Sequence, residues 1–252
     1  MVQPGGVTRP TGLTRLGRFL QSSRAAHAAD PLVVFAVALA AITFARPLVG
    51  EHPLARQAVI WVANLVMLAV VWLGLRLRGQ GWEHLGLQRR FAGWRATGRA
   101  VLKSWLVLGA AVAAFVLGSV LMANITGIPQ AADTSGYEYL RGNLPMLILA
   151  LAAVYVVSSF GEEVIYRGFL ITRLSELGAG RIWAIRAAVV VSAIVFGFAH
   201  FDWGVVGIVQ TTFMGLALGA SYVMLRRDLW VLVLAHAYMD TILLVQLYLS
   251  AN

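Results

Sequence analysis

The sequence predicts an all-α, polytopic membrane bundle of about seven to eight transmembrane helices with an interfacial segment. Three observations predict it. Sixty per cent of the residues are hydrophobic and only 12% are charged, far from the average of soluble domains. Apolar stretches of the roughly 20 residues needed to cross a bilayer recur along the chain. Nineteen of the twenty basic residues are arginine, and most of them fall in the gaps between those stretches.

Taken in order, residues 1–29 are rich in Gly, Pro, Thr and Arg and read as a mobile basic cytoplasmic tail. Candidate spans then run from Pro31 to Val49, Gln57 to Leu75, Ser104 to Ile125, Leu144 to Phe160, Ile182 to Phe201, Trp203 to Leu225 and Leu229 to Leu249. Arg46 and Pro47 interrupt the first. It lies far from the start and precedes many more spans, so it reads as a retained helix and not as a cleaved signal. Residues 30–143 form an N-terminal transmembrane region and residues 144–252 a second one. Between Arg76 and Arg99, GWEHLGLQRRFAGW suits an interfacial segment with its apolar side chains in the lipid boundary. Asn124 to Asn143 is the one sizeable external connection.

The net charge of +9 is a topology signal. Arg9, Arg15, Arg18 and Arg24 precede the first span; Arg76, Arg78, Arg89, Arg90, Arg95 and Arg99 lie between the second and third. Arg173, Arg181 and Arg186 follow the fourth, and Arg226 and Arg227 the sixth, whereas Asp133 and Glu138 occupy an intervening loop. The positive-inside rule then puts the N-terminus in the cytoplasm and the C-terminus outside. No soluble basic domain with exposed aromatics is present, which excludes a nucleic-acid partner. Cysteine is absent, so disulfides, thiolate nucleophiles and cysteine zinc sites are excluded as well.

Only eleven acids occur in the chain, yet Glu162 and Glu163 stand together after about twenty uncharged residues. A charged group inside a span costs roughly 2.5–3.5 kcal/mol on insertion scales and marks a functional site by default. Arg167 follows Glu163 by four residues, His200 follows Phe196 by four, and Asp240 follows His236 by four. Each pair shares one helical face, and facing helices build polar sites in a bundle core this way. Counting about 1.5 Å per residue from the flanking arginines places Glu162, His200, His236 and Asp240 roughly 13–21 Å in, near mid-bilayer. Arg167 comes out roughly 9 Å in, a depth that requires a carboxylate partner.

A carboxylate and an imidazole facing one water can activate it as a nucleophile, and a second imidazole with a polar neighbour can stabilise an oxyanion. One glutamate and two histidines can instead hold zinc with an open position for water. Either route ends in hydrolysis of an amide bond in or near the membrane. Neither HExxH nor GxSxG occurs, so the usual helical zinc-protease and serine-hydrolase signatures are missing.

GEEVIYRGFL, FGFAH and HAYMD resemble the three motifs of the CAAX-protease and bacteriocin-processing (CPBP, Abi) family of intramembrane endopeptidases: EExxxR, FxxxH and Hxxx followed by Asn or Asp. The resemblance runs from about Leu144 to the C-terminus, and the upstream WEHLGLQ is similar to a segment that often precedes this domain. It implies that Glu162 activates water together with His200, that Glu163 supports the site and pairs with Arg167, and that His236 and Asp240 form the oxyanion-stabilising end. Asp240 departs from the common Asn, and an ionised Asp cannot donate as an amide can. The family view also leaves a metal open: with zinc, Glu162, His200 and His236 would be the ligands; otherwise no cofactor is needed.

Other features have plainer readings. Gly197, Gly215 and Gly219 permit close helix packing, and Asn64 and Gln210 suit interhelical hydrogen bonds. Phe196 reads as a packing residue, and Trp203 and Trp230 as interfacial anchors. The expected partners are the lipid bilayer and a peptide or membrane-protein substrate. The Ala- and Arg-rich composition with one lysine suits a GC-rich bacterial genome and hence a bacterial cytoplasmic (inner) membrane. Bacteria generally lack prenylation, so prenyl substrates are not expected; the oligomeric state is open. The competing classes are a proton-coupled transporter, which would show an inverted repeat that this chain lacks, and a non-catalytic bacteriocin-immunity protein.

Overall fold

Why the chain forms one bundle is clearest from its helix starts. Thr14, Ser23 and Asn143 each accept a backbone N–H of the turn that follows, and Pro53 and Pro145 occupy first-turn positions where no N–H is needed. The computed structural model describes residues 14–88, 93–127 and 134–250. Arg9, Arg89, Arg90, Asp133 and the Phe91 part of the expected interfacial segment lie outside them.

The helices are α1 (Arg15–Ser22), α2 (Arg24–Ala45), α3 (Pro53–Leu77), α4 (Trp94–Thr126), α5 (Leu144–Val154), α6 (Ile171–Leu177), α7 (Ile182–Phe198), α8 (Gly204–Met224) and α9 (Leu229–Leu249). No strand occurs among the described residues. Among the described residues six helical stretches are long and apolar enough to cross a membrane, and α7 adds an apolar helix of 17 residues. This is a polytopic helical membrane bundle. Helix α4 packs along α8 and α9, α8 packs on α7, and α2 packs on α3 and α6. Val71, Leu85, Ile165, Phe196, Leu218 and Leu232 belong to the shared apolar core. At the tightest crossing, a Cβ on Gly197 would lie 1.9 Å from Thr212 Oγ1.

The fourth span does not stop at Phe160. It continues from Leu144 to Leu177 as one 34-residue stretch, in which α5 and α6 are joined by two π-helical segments, Tyr155–Phe160 and Glu163–Leu170. Hydropathy ends the span at the first charges, but those charges are paired inside the protein, so the helix carries on through them. The i→i+5 widening of a π-helix is rare and concentrates at functional sites.

The residues expected to form a mobile tail are helical from Arg15, and an ion-pair cluster beside them shows why. Asp30 lies 2.7 Å from Arg78 and 3.1 Å from Arg173. Glu176 meets Arg173 at 2.9 Å, His27 at 2.8 Å and His84 at 3.3 Å. Arg78 and Arg173 are each 1% exposed, so these two topology markers are held by ion pairs, and a depth counted from Arg173 is a distance from this cluster. Burial, and then the neighbouring Arg173, lowers the pKa of Arg78.

The interfacial expectation for WEHLGL is also corrected. Leu85 is completely buried and belongs to the main core, because the loop docks on the turn between α8 and α9. Tyr222 donates to the Leu85 carbonyl at 3.0 Å, and Leu229 N–H to the Gly86 carbonyl at 3.3 Å. Gly86 has φ +96°, and a Cβ there would sit 1.9 Å from the Arg227 carbonyl oxygen. Left-handed backbone costs a non-glycine residue about 1–3 kcal/mol before any clash. Gly86→Ala is therefore expected to lower the melting temperature in detergent by roughly 5 °C or more. Gly109→Ala, on the open face of α4, should leave it unchanged; an equally stable Gly86→Ala would mean the loop is not docked this way.

Candidate active site

Glu163 anchors the site. Its Oε1 accepts from Arg167 Nη1 at 2.9 Å and from His236 Nδ1 at 2.8 Å, and its side chain is 0% exposed. The guanidinium of Arg167 lies 4.1 Å from the centroid of the Phe196 ring, a cation–π contact made in a desolvated setting. Tyr166, His200 and His236 meet the same ring edge-on at 5.1, 4.7 and 6.3 Å. Phe196 thus packs beside the site and also supports its arginine.

Glu162 points to the other side of His236. Its Oε2 is 3.9 Å from His236 Nε2, and Asp240 Oδ1 is 3.8 Å from the same nitrogen. Both separations are too long for a direct hydrogen bond and suit a bridging water. Glu162 Oε2 is buried and makes no hydrogen bond among the described residues. The remaining histidine comes from the end of α7: His200 Nδ1 donates to the Phe196 carbonyl at 2.9 Å, since a carbonyl only accepts. In the neutral ring Nε2 then carries the lone pair. His236 Nε2 thus stands between two carboxylates, Glu162 and Asp240, whereas His200 forms no ion pair with a carboxylate among the described residues.

Three neighbours had no signature in the sequence. Ser159, buried in the first π-helical segment, donates to Asp240 Oδ2 at 2.6 Å. Trp203, read as an interfacial anchor, meets the His200 ring edge-on at 5.0 Å. Tyr137, on the 3-10 turn Ser135–Leu140, hydrogen-bonds Trp203 and lies in the field of Glu162 and Asp240; burial above all raises its phenol out of the ordinary range. The other plain readings divide. Gln210 donates to Ser119 across α8 and α4 at 2.8 Å, Asn64 makes no side-chain hydrogen bond among the described residues, and Trp230 packs on Phe160 at 6.1 Å.

Arg46, which interrupts the first span in the sequence, has a partner on the turn that follows His200. Its Nη2 donates to both carboxylate oxygens of Asp202 at 2.9 and 2.8 Å, and its guanidinium covers Phe201. Exposed pairs contribute about 0.2–1 kcal/mol. Asp202→Arg is expected to speed hydrogen exchange at residues 200–204 up to about fivefold, with Arg46→Asp in the same chain restoring protection. Failure of the swapped pair to restore it would rule out the latch.

The zinc alternative finds no matching cage: among the described residues no three His, Asp or Glu side chains are grouped to hold a metal ion. His236 Nδ1 is engaged by Glu163 and His200 Nδ1 by the backbone, which leaves Nε2 as the available nitrogen of each ring.

Residues 144–242 match the family model described as type II CAAX prenyl endopeptidase Rce1-like. Over this segment the chain is similar to the CAAX-protease family. The Rce1-like segment contains Glu162, Glu163, Arg167, His200, His236 and Asp240, and it supports an endopeptidase activity. Helices α1 to α4 lie before it. No curated protein and no solved structure matches the chain.

Proposed function

We propose that this integral membrane protein is an intramembrane endopeptidase in which Glu162 activates the water that attacks a peptide bond. The observation that carries the reading is the Glu162 carboxylate oxygen, buried, without a hydrogen bond and 3.9 Å from His236 Nε2. Each glutamate keeps one buried oxygen without a hydrogen bond, but Glu163 is tied through Oε1 to Arg167 and to His236 Nδ1, so of the two only Glu162 faces His236 Nε2.

In the proposed reaction, the water oxygen bonds to the scissile carbonyl carbon while one water proton passes to Glu162. His200 Nε2, which keeps the lone pair because Nδ1 donates to the Phe196 carbonyl, supports that transfer. The carbonyl electron pair moves onto oxygen, and the resulting oxyanion is met by His236, whose Nε2 faces groups that only accept. Glu162 then returns the proton to the leaving nitrogen as the carbon–nitrogen bond breaks. No metal takes part in these steps, a choice supported by the separated donor set.

The substrate class we propose is a peptide or membrane-protein segment in a bacterial inner membrane, with the N-terminus of the enzyme cytoplasmic. The test compares protein termini between a wild-type strain and a Glu162→Gln strain. Termini present only in the wild type are expected. Identical sets of termini, with the protein present in both strains, would defeat the proposal, and loss of solute uptake without any change in termini would favour a transporter.

A further inference from the structure

The π-helical turn Tyr155–Phe160 grips α9 at two adjacent residues. Ser159 Oγ donates to Asp240 Oδ2 at 2.6 Å, and the Tyr155 hydroxyl shares a 2.8 Å hydrogen bond with Thr241 Oγ1. Thr241 is itself tied to its own helix through the Ala237 carbonyl at 2.6 Å. Ser159 is 0% exposed, and the turn packs closely on α9. Two polar contacts from one widened turn, on neighbouring residues of another helix, fix how α9 is rotated about its axis. That rotation decides where His236 and Asp240 point.

The second half of the argument concerns what Asp240 lacks. As a carboxylate it accepts from two sides but donates to none. Its two oxygens are divided here: Oδ2 takes the Ser159 hydroxyl, and Oδ1 faces His236 Nε2 at 3.8 Å. An O–H···O⁻ bond of this length belongs to the strong, charge-assisted class. Without the Ser159 hydroxyl, the carboxylate keeps Ser158 as its hydroxyl partner and can turn both oxygens toward His236 Nε2.

We infer that Ser159 is a positioning residue for Asp240: its hydroxyl holds one carboxylate oxygen so that the other stays turned toward His236 and the reacting water. The inference rests on the endopeptidase reading. Its logic is specific to an acid at position 240, because the hydrogen bond from Ser159 is charge-assisted only to a carboxylate. Ser158 on the same turn also hydrogen-bonds Glu162 and Asp240, so it is a second hydroxyl at this carboxylate.

The experiment measures kcat and KM with a quenched fluorescent peptide spanning a cleavage site found by the comparison of termini. Ser159→Ala is expected to lower kcat about 10- to 100-fold, the worth of a hydrogen bond to a charged group, with KM little changed. Ser159→Thr keeps the hydroxyl and should retain most of the activity. In an Asp240→Asn background the added Ser159→Ala change should cost less than about twofold, since the two residues act as a unit. Ser159→Ala at wild-type kcat, or an equal loss in both backgrounds, would overturn the inference. Cleavage that survives Glu162→Gln would instead remove the endopeptidase reading. A double-mutant cycle on melting temperature then still decides the contact: no coupling between Ser159→Ala and Asp240→Asn overturns it, and measurable coupling supports it.

Discussion

Replacing Arg167 with Leu is expected to destabilise the protein by about 3–5 kcal/mol, the usual cost of stranding one partner of a buried ion pair. At 1% exposure the Arg167 guanidinium has no water to retreat into, and it is held between Glu163 and the face of Phe196. Leucine fills part of the volume but leaves Glu163 with His236 as its sole partner. For a chain of this size the loss corresponds to a melting temperature lower by roughly 6–20 °C. Adding Glu163→Gln should recover part of it, because a neutral amide removes the uncompensated charge. An Arg167→Leu protein that melts with the wild type would show that the pair is not the structural keystone of this helix.

Glu162→Gln should have the opposite profile. The amide is isosteric, and Glu162 Oε2 makes no hydrogen bond that the fold depends on. Melting should therefore stay near that of the wild type while kcat falls about 10²- to 10⁴-fold, the range general-base catalysis contributes. Glu163→Gln should lower both quantities, because Glu163 holds two partners at once. Two adjacent glutamates thus separate cleanly: one affects rate alone, the other rate and stability. Equal melting losses for the two variants would contradict that division.

The membrane fold was legible because hydropathy and arginine spacing act over whole spans. Glu162, Glu163, Arg167, His200, His236 and Asp240 were legible because charge is rare here and their spacings put each pair on one helical face. What hydropathy could not read was pairing. Hydropathy closes a span at Phe160 because a lone Glu162 is expensive, yet Arg167 and His236 pair with its neighbour and the helix continues to Leu177. Hydropathy assigns Leu85 to the lipid boundary because nothing local says that a loop will dock on the turn between two helices far along the chain. Ser159 and Tyr137 escaped for a different reason: a hydroxyl in an apolar run is common and inexpensive, so only its position against Asp240 or Trp203 gives it meaning.

The docked loop has a consequence for the order of synthesis. Leu85 and Gly86 leave the ribosome long before Tyr222, Arg227 and Leu229, the residues that receive them. Until the last two helices arrive, both loop carbonyls lack these partners and Leu85 lacks its cover. The same last hairpin delivers His236 and Asp240 to the carboxylates already made. Burial of Leu85 and assembly of His236 and Asp240 with the two glutamates thus await one event.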